Sequence, residues 1–152
     1  MEAALRRAAP GADVIIMAAA VADYRPVRRA ATKLPRNGTL TLRLEAVPDI
    51  VARLPRRPGQ VVVGFALETE AVLARAQRKL RAKRLDLLWA QRARQSPFGR
   101  RAVEAWLLER NRPVIRVGRI TKPAAARLLL DKIEVLWYGH AVQSVTNNQG
   151  AE

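Results

Sequence analysis

Cysteine is absent from this sequence of 152 residues, which excludes disulfide bonds, thiolate zinc sites and a cysteine nucleophile. The single histidine, His140, is too few for a multi-histidine metal site. Aromatic residues make up only 5%, and none interleaves with basic residues as in RNA- or DNA-binding modules that stack bases. No apolar run approaches the roughly 20 residues that a membrane-spanning helix needs. The opening MEAALRRAAPGAD lacks the apolar core and cleavage pattern of an export signal, so no signal peptide is expected. Also missing are GxxxxGK[ST], GxGxxG, HExxH and GxSxG, which removes the commonest phosphate-loop, dinucleotide, metalloprotease and serine-hydrolase readings.

What is abundant is positive charge. Twenty-eight Lys and Arg against 13 Asp and Glu give a formal net charge of +15. Such a balance suits an anionic partner such as a nucleotide, a phosphorylated metabolite or nucleic acid. The arginines are spread along the chain instead of forming one block, so an arginine-rich composition explains part of the charge. A hydrophobic share of 49% is that of a chain able to bury a core.

Periodicity divides the chain into short elements. Residues 1–9 read as the end of a helix closed by Pro10 and Gly11. DVIIMAAAV (13–21), VVVGFA (61–66) and LDLLWA (85–90) are continuous apolar runs of strand length, the pattern of strands covered on both faces. TLTLRLEA (39–46) alternates like a strand with one wet face, and the polar 22–38 before it reads as a loop. Pro48 can open a short helix, PDIVARL. Residues 69–84 fit a helix with Thr69 as N-cap and Glu70 in its first turn. EAWLL and VIRVG read as a hairpin around ERNRP, and Thr121 as the cap of a last helix. This order predicts an α/β fold with a three-layer, Rossmann-like, mostly parallel sheet flanked by helices and a late β-hairpin. A single domain is expected over residues 1–138, with a polar, frayed tail over 139–152.

In such sheets ligands bind beyond the carboxyl ends of the strands, which selects Ala19 to Asp23, Gly64 to Thr69, and the chain from Ala90. Alanines at the first place allow close approach to the backbone, and Asp23 can accept from a base or ribose or hold magnesium; tight helix packing on small residues is the competing explanation. On the 69–84 helix, Val72, Leu73, Ala76 and Leu80 form an apolar stripe. Lys83 falls inside it and Lys79 at its edge, whereas Arg78 and Arg81 point away. Two lysines four residues apart repel, so along an apolar edge they need an acceptor: a phosphate chain, or solvent reached by snorkelling. Lys33 lies in a proline-flanked loop free to fold over a ligand, although most loop lysines are simply solvated.

DVIIMAAAVADYRP, Lys33, VPDIVARL, VVVGFALETE, AQRKLRAKRLDLLWA and SPFG follow one another in an order that resembles the phosphopantothenate–cysteine ligase family over roughly residues 1–136. That family is often the C-terminal half of a bifunctional coenzyme A biosynthesis protein. The resemblance implies a cytoplasmic enzyme that uses CTP with magnesium to activate 4'-phosphopantothenate as an acyl-cytidylate. Cysteine then displaces CMP and phosphopantothenoylcysteine forms. It also implies a homodimer and a fused or separate N-terminal segment or decarboxylase domain as partner.

Carried over by motif, Met17, Ala18, Ala19 and Asp23 would contact the nucleotide. Pro48, Asp49, Ile50, Val51 and Phe65 would line the cytidine pocket, and Lys79 and Lys83 would bind the triphosphate. Ala20 would sit beside the activated acyl group, and Lys33 would serve its turnover; a metal ligand is not identified. The chain departs from the family in beginning after its glycine- and serine-rich first segment. It also departs at KLPR (Pro35 and Arg36 for two lysines), at Ala90–Gln91–Arg92 and at FGRRAV, where Arg101 and Val103 replace an acid and an amide. These departures keep two other classes open: a non-catalytic or partner-dependent nucleotide-binding remnant, and a basic nucleic-acid-binding module.

Overall fold

A computed structural model describes residues 1–36, 38–93 and 102–148, with side chains as far as His140. The SPFG segment and Arg101 lie outside the described residues. In chain order the elements are α1 (Glu2–Ala8), a 3-10 turn (Ala9–Gly11), β1 (Val14–Met17), β2 (Tyr24–Pro26), β3 (Leu44–Ala46), β4 (Val61–Glu68), α2 (Val72–Ala82), β5 (Leu87–Arg92), β6 (Ala102–Glu109), β7 (Ile115–Thr121) and α3 (Lys122–Asn148).

Five strands form one sheet in the order β1-β4-β5-β6-β7. β1, β4 and β5 pair in parallel, and β6 is antiparallel to both its neighbours. Only β6 therefore runs against the common direction, as expected for a mostly parallel sheet with a late hairpin. That hairpin carries an irregularity between Ala105 and Trp106. Opposite it Gly118 has φ of 74°, a conformation that suits glycine where a bulge forms.

Period-two alternation splits the strands between two cores. On one face Ile15, Val62, Ala66, Leu88, Trp106 and Leu108 pack against Val72, Ala76 and Leu80 of α2. On the other, Val61, Val63, Leu87, Trp89, Ala105 and Leu107 pack against Ala125, Leu129 and Ile133 of α3. This is the expected three-layer arrangement, and each buried Val or Leu side chain contributes about 1.5–3 kcal/mol.

Some local expectations change. PDIVARL forms a single turn over 50–53 in place of a helix, because the Asp49 carboxylate takes the Val51 and Ala52 N–H groups at 3.0 Å each and so closes a compact loop. α2 starts after Ala71 without a side-chain cap, so neither Thr69 nor Glu70 has the position assigned to it, and Leu73 of the apolar stripe remains partly exposed. Only Leu44–Ala46 of the 39–46 stretch is a strand, pairing with Tyr24–Pro26 inside the supposed loop. The alternating Leu40, Leu42 and Leu44 stay exposed; their pattern marks one apolar face without specifying a cover for it. Thr121 does cap α3, its hydroxyl accepting from Ala124 N–H at 3.4 Å. α3 then continues to Asn148, so the frayed tail from Gly139 gives way to helix: no proline interrupts the backbone ladder after Pro123.

The turn from α2 to β5 is knotted by arginines. The Arg56 guanidinium donates to the carbonyls of Lys83, at 2.8 Å, and Arg84; Arg110 Nε donates to Leu85 O at 3.1 Å. Asp86 accepts from Val62 N–H at 2.7 Å and lies 3.3 Å from Arg110 and 3.7 Å from Arg56. Burial lowers the pKa of Arg56 while the Asp86 charge opposes that shift. Asp86→Ala should cost about 2–4 kcal/mol in urea unfolding, since it orphans the Val62 N–H and removes the counter-ion of two guanidinium groups that then hold only carbonyls. In the opposite direction, Ala71 is held at φ of 45°, where a Cβ is unfavourable. Ala71→Gly should therefore raise stability by about 0.5–1 kcal/mol by the same measurement.

Candidate functional site

The pairing of β2 with β3 returns the chain so that Val47 N–H donates to Asp23 O at 2.8 Å. The segment after β1 and the Val47–Val51 loop thereby face each other across the end of β1. Between them and α2 lies a cavity of about 440 Å³, lined by Met17, Ala19 to Asp23, Val47 to Val51, Gly64, Phe65, Lys79, Lys83, Leu85 and Leu88. The alanines form one wall with little side-chain bulk. Leu85, Leu88 and Gly64 carry the cavity down the α2 face of the sheet, beyond the strand-end position that topology alone suggests.

Of the residues selected from sequence, Met17, Ala19, Ala20, Asp23, Pro48, Asp49, Ile50, Val51, Phe65, Lys79 and Lys83 line this one cavity. Ala18 is exposed outside it, its N–H turned back to Ile16 O at 3.1 Å. Lys33 is exposed in the loop between β2 and β3 and is not part of the lining. The third strand end is also elsewhere. Ala90 is buried in the core, and Arg92 lies 3.5 Å from Glu104 and 5.7 Å from the Trp106 ring centroid.

Both cavity lysines have acceptors within the protein itself. Lys83 Nζ lies 3.0 Å from Asp49 Oδ2, and Lys79 Nζ lies 2.6 Å from Glu68 Oε1. Glu68 was not singled out by sequence pattern. A signal did exist: an acid closing an apolar strand, with lysine eleven residues on. Burial acts to raise the Glu68 pKa, but hydrogen bonds and charge from Lys79 and Arg75 prevail and hold it below the usual value. Asp49 follows the same balance: burial raises it, while the Ala52 N–H, Lys83 and the Val51 N–H bring it down further. Because both folded values lie below the unfolded ones, their stabilisation is complete above the ordinary carboxylate range and is lost as pH falls through the lower folded values.

Two lysines, one held by Asp49 and the other by a Glu68 that Arg75 also neutralises, leave ammonium donors at the cavity for an anionic group. Phosphate oxygens can replace or join the carboxylates on the two ammonium groups. The protein is thus an α/β domain with a polar, lysine-bearing cleft of small-ligand size.

The comparisons give this class a family. The profile of the DNA/pantothenate metabolism flavoprotein C-terminal domain matches residues 1–136, and the chain belongs to that family. It is 33% identical over 127 residues to the coenzyme A biosynthesis bifunctional protein CoaBC of Thermococcus kodakarensis, covering 80% of this chain and 31% of that protein. It is 30% identical over 129 residues to a cysteine/cysteine sulfinic acid decarboxylase from an unknown prokaryotic organism, covering 82% of this chain and 36% of the relative. The chain therefore spans about a third of the length of these curated relatives. The crystal structure of a CoaBC C-terminal domain superposes with a TM-score of 0.67 at 26% identity, covering 91% of this chain and 61% of that one. A DNA/pantothenate metabolism flavoprotein from Streptococcus pneumoniae shares the fold, with a TM-score of 0.66 at 21% identity over 88% of this chain and 67% of that one.

Two measurements test the site's construction. A Cβ on Gly64 would stand 2.5 Å from Leu85 Cδ1 and 3.3 Å from Leu88 Cδ1. Gly64→Ala should thus cost about 1–3 kcal/mol in chemical denaturation as Leu85 is pushed into the cavity. In a pH series at fixed urea, the wild type should lose stability as acid protonates Asp49 and Glu68. Asp49→Asn should show a smaller loss over the same interval.

Proposed function

We propose that this chain carries the CTP-dependent ligation of 4'-phosphopantothenate with cysteine, through an acyl-cytidylate, in coenzyme A biosynthesis. The observation that supports this most strongly is the convergence of Met17, the alanines, Asp23, Pro48 to Val51, Phe65, Lys79 and Lys83 on a single cavity. These motifs are far apart in sequence and were assigned to one nucleotide by family resemblance. Family membership supports the same reading.

In this reading the cytosine lies between the Pro48–Val51 turn and Phe65, and the ribose meets Asp23. The triphosphate runs toward Lys79 and Lys83, whose charges favour the pyrophosphate that leaves when the acyl-cytidylate forms. Ala20 leaves room for the acyl group. Magnesium accompanies the nucleotide. Among the described residues no group of three or more His, Cys, Asp or Glu side chains could cage it. Such an ion is commonly held by phosphate oxygens and one or two carboxylates, and Asp23 is the cavity carboxylate that Lys83 does not hold. The ion would neutralise phosphate charge. The homodimer, the N-terminal partner and a cytoplasmic location are carried over from the family as parts of this proposal; no helix among the described residues is long and apolar enough to cross a membrane.

A second reading, nucleotide binding without independent turnover, is favoured by the position of Lys33 outside the cavity lining. Calorimetric titration with CTP, ATP and GTP separates both readings from a nucleic-acid role. CTP should bind selectively, and Lys79→Ala or Lys83→Ala should weaken it at least about tenfold; indifference to every nucleotide would sink both. Pyrophosphate release from CTP with phosphopantothenate then distinguishes ligase from remnant, and failure even with the family's N-terminal segment added favours the remnant. Lys33→Gln should preserve CTP affinity and abolish product formation with cysteine; normal product formation would remove Lys33 from the mechanism.

A further inference from the structure

Glu68 is buried, with 6% of its surface exposed, yet it is charged and does not line the cavity. A carboxylate in such a place must be paired, and it has two cations. Arg75 approaches one oxygen at 3.3 Å and Lys79 the other at 2.6 Å. Both cations come from α2, and only Lys79 also reaches the cavity. The two cavity lysines are therefore held unequally. Lys83 is bound to Asp49, a carboxylate that is 38% exposed and itself part of the cavity wall. Lys79 is bound to an anion behind the wall, out of reach of a ligand.

We infer that Glu68 is the positioning residue for Lys79, fixing its ammonium group so that its remaining N–H donors meet phosphate oxygens of the ligand. This rests on the reading of the cavity as a polyphosphate site. An ammonium on a four-carbon stem loses substantial rotamer freedom when it is fixed. The Glu68 pair meets that cost during folding, so it is not charged against binding. The Glu68 charge does not cancel this gain by repelling phosphate, because Arg75 neutralises it and the Arg75–Glu68–Lys79 triad keeps a net positive charge. Lys83 has the complementary role: phosphate can displace Asp49 from it within the cavity.

The test is a double-mutant cycle read by calorimetry with inorganic tripolyphosphate and, separately, CTP as probes. Glu68→Gln keeps the side-chain volume and removes the charge. It should weaken tripolyphosphate binding about tenfold. That loss should vanish in the Lys79→Met background and persist in the Lys83→Met background. A purely structural role would weaken binding equally in both. The rate of Lys79 acylation by a water-soluble succinimidyl ester, mapped by mass spectrometry, should rise in Glu68→Gln while that of Lys83 stays constant. Unchanged or tighter tripolyphosphate binding in Glu68→Gln overturns the inference, as does an equal loss in both backgrounds or an absence of tripolyphosphate binding by the wild type. If the cycle is coupled through Lys79 but CTP binds no better than ATP or GTP, the inference stands and the cytidine-specific reading falls.

Discussion

The first half of strand β4, Val61 to Gly64, must be buried on both faces, and the rest of the structure is arranged to keep it so. Val61 to Val63 are wholly inaccessible, β1 and β5 pair along its two edges, and α2 and α3 cover opposite faces. Near the start of β4 its backbone is tied to Asp86, and through Asp86 to Arg56 and Arg110. Halfway along, Gly64 has no side chain because Leu85 occupies that space. The cavity begins at that glycine. One strand thus organises the core below and the site above, which is why a single methyl group at Gly64 is expected to register in both stability and cavity shape.

The charges follow a similar division. Below the sheet, arginines answer the carbonyls of Lys83, Arg84 and Leu85 in the turn that follows α2, groups that would otherwise lack partners. At the cavity, lysines are matched to carboxylates. Arginine's fixed fork suits a permanent structural knot, whereas lysine's mobile point charge suits an acceptor that is exchanged. The net charge of +15 is therefore not one patch with one purpose. Part is structural, at Arg56 and Arg110, and part belongs to the cleft, at Lys79 and Lys83.

Much of this was legible in the sequence. The continuous apolar runs announced β1, β4 and β5 as strands, and the hairpin and α3 cap were read from equally local signals. Cover on both faces holds along β5 from Leu87 to Ala90 and for Val61 to Gly64 of β4, whereas β1 ends at Met17 with Ile16 exposed and Phe65 and Leu67 of β4 are exposed. The inward lean of Lys79 and Lys83 was visible on a helical wheel. The small strand pairing of Tyr24–Pro26 with Leu44–Ala46 was not legible, because it joins segments separated by a long loop and neither alone has a distinctive period. PDIVARL misled because proline opens helices and turns alike, and the Asp49 side chain decided for the turn.

The order of apolar runs by itself determined the α/β class and its layers, because burial on two faces leaves few other uses for such strands. Small residues, one aspartate and two inward lysines likewise marked positions that line one cavity. Only the tertiary structure decided who meets whom. It brought Val47–Val51 against Asp23, left Lys33 and Ala18 outside the cavity, and gave the lysines Asp49 and Glu68 as acceptors. Those outcomes depend on distances between segments far apart in the chain, and a local pattern of residue types carries no information about such distances.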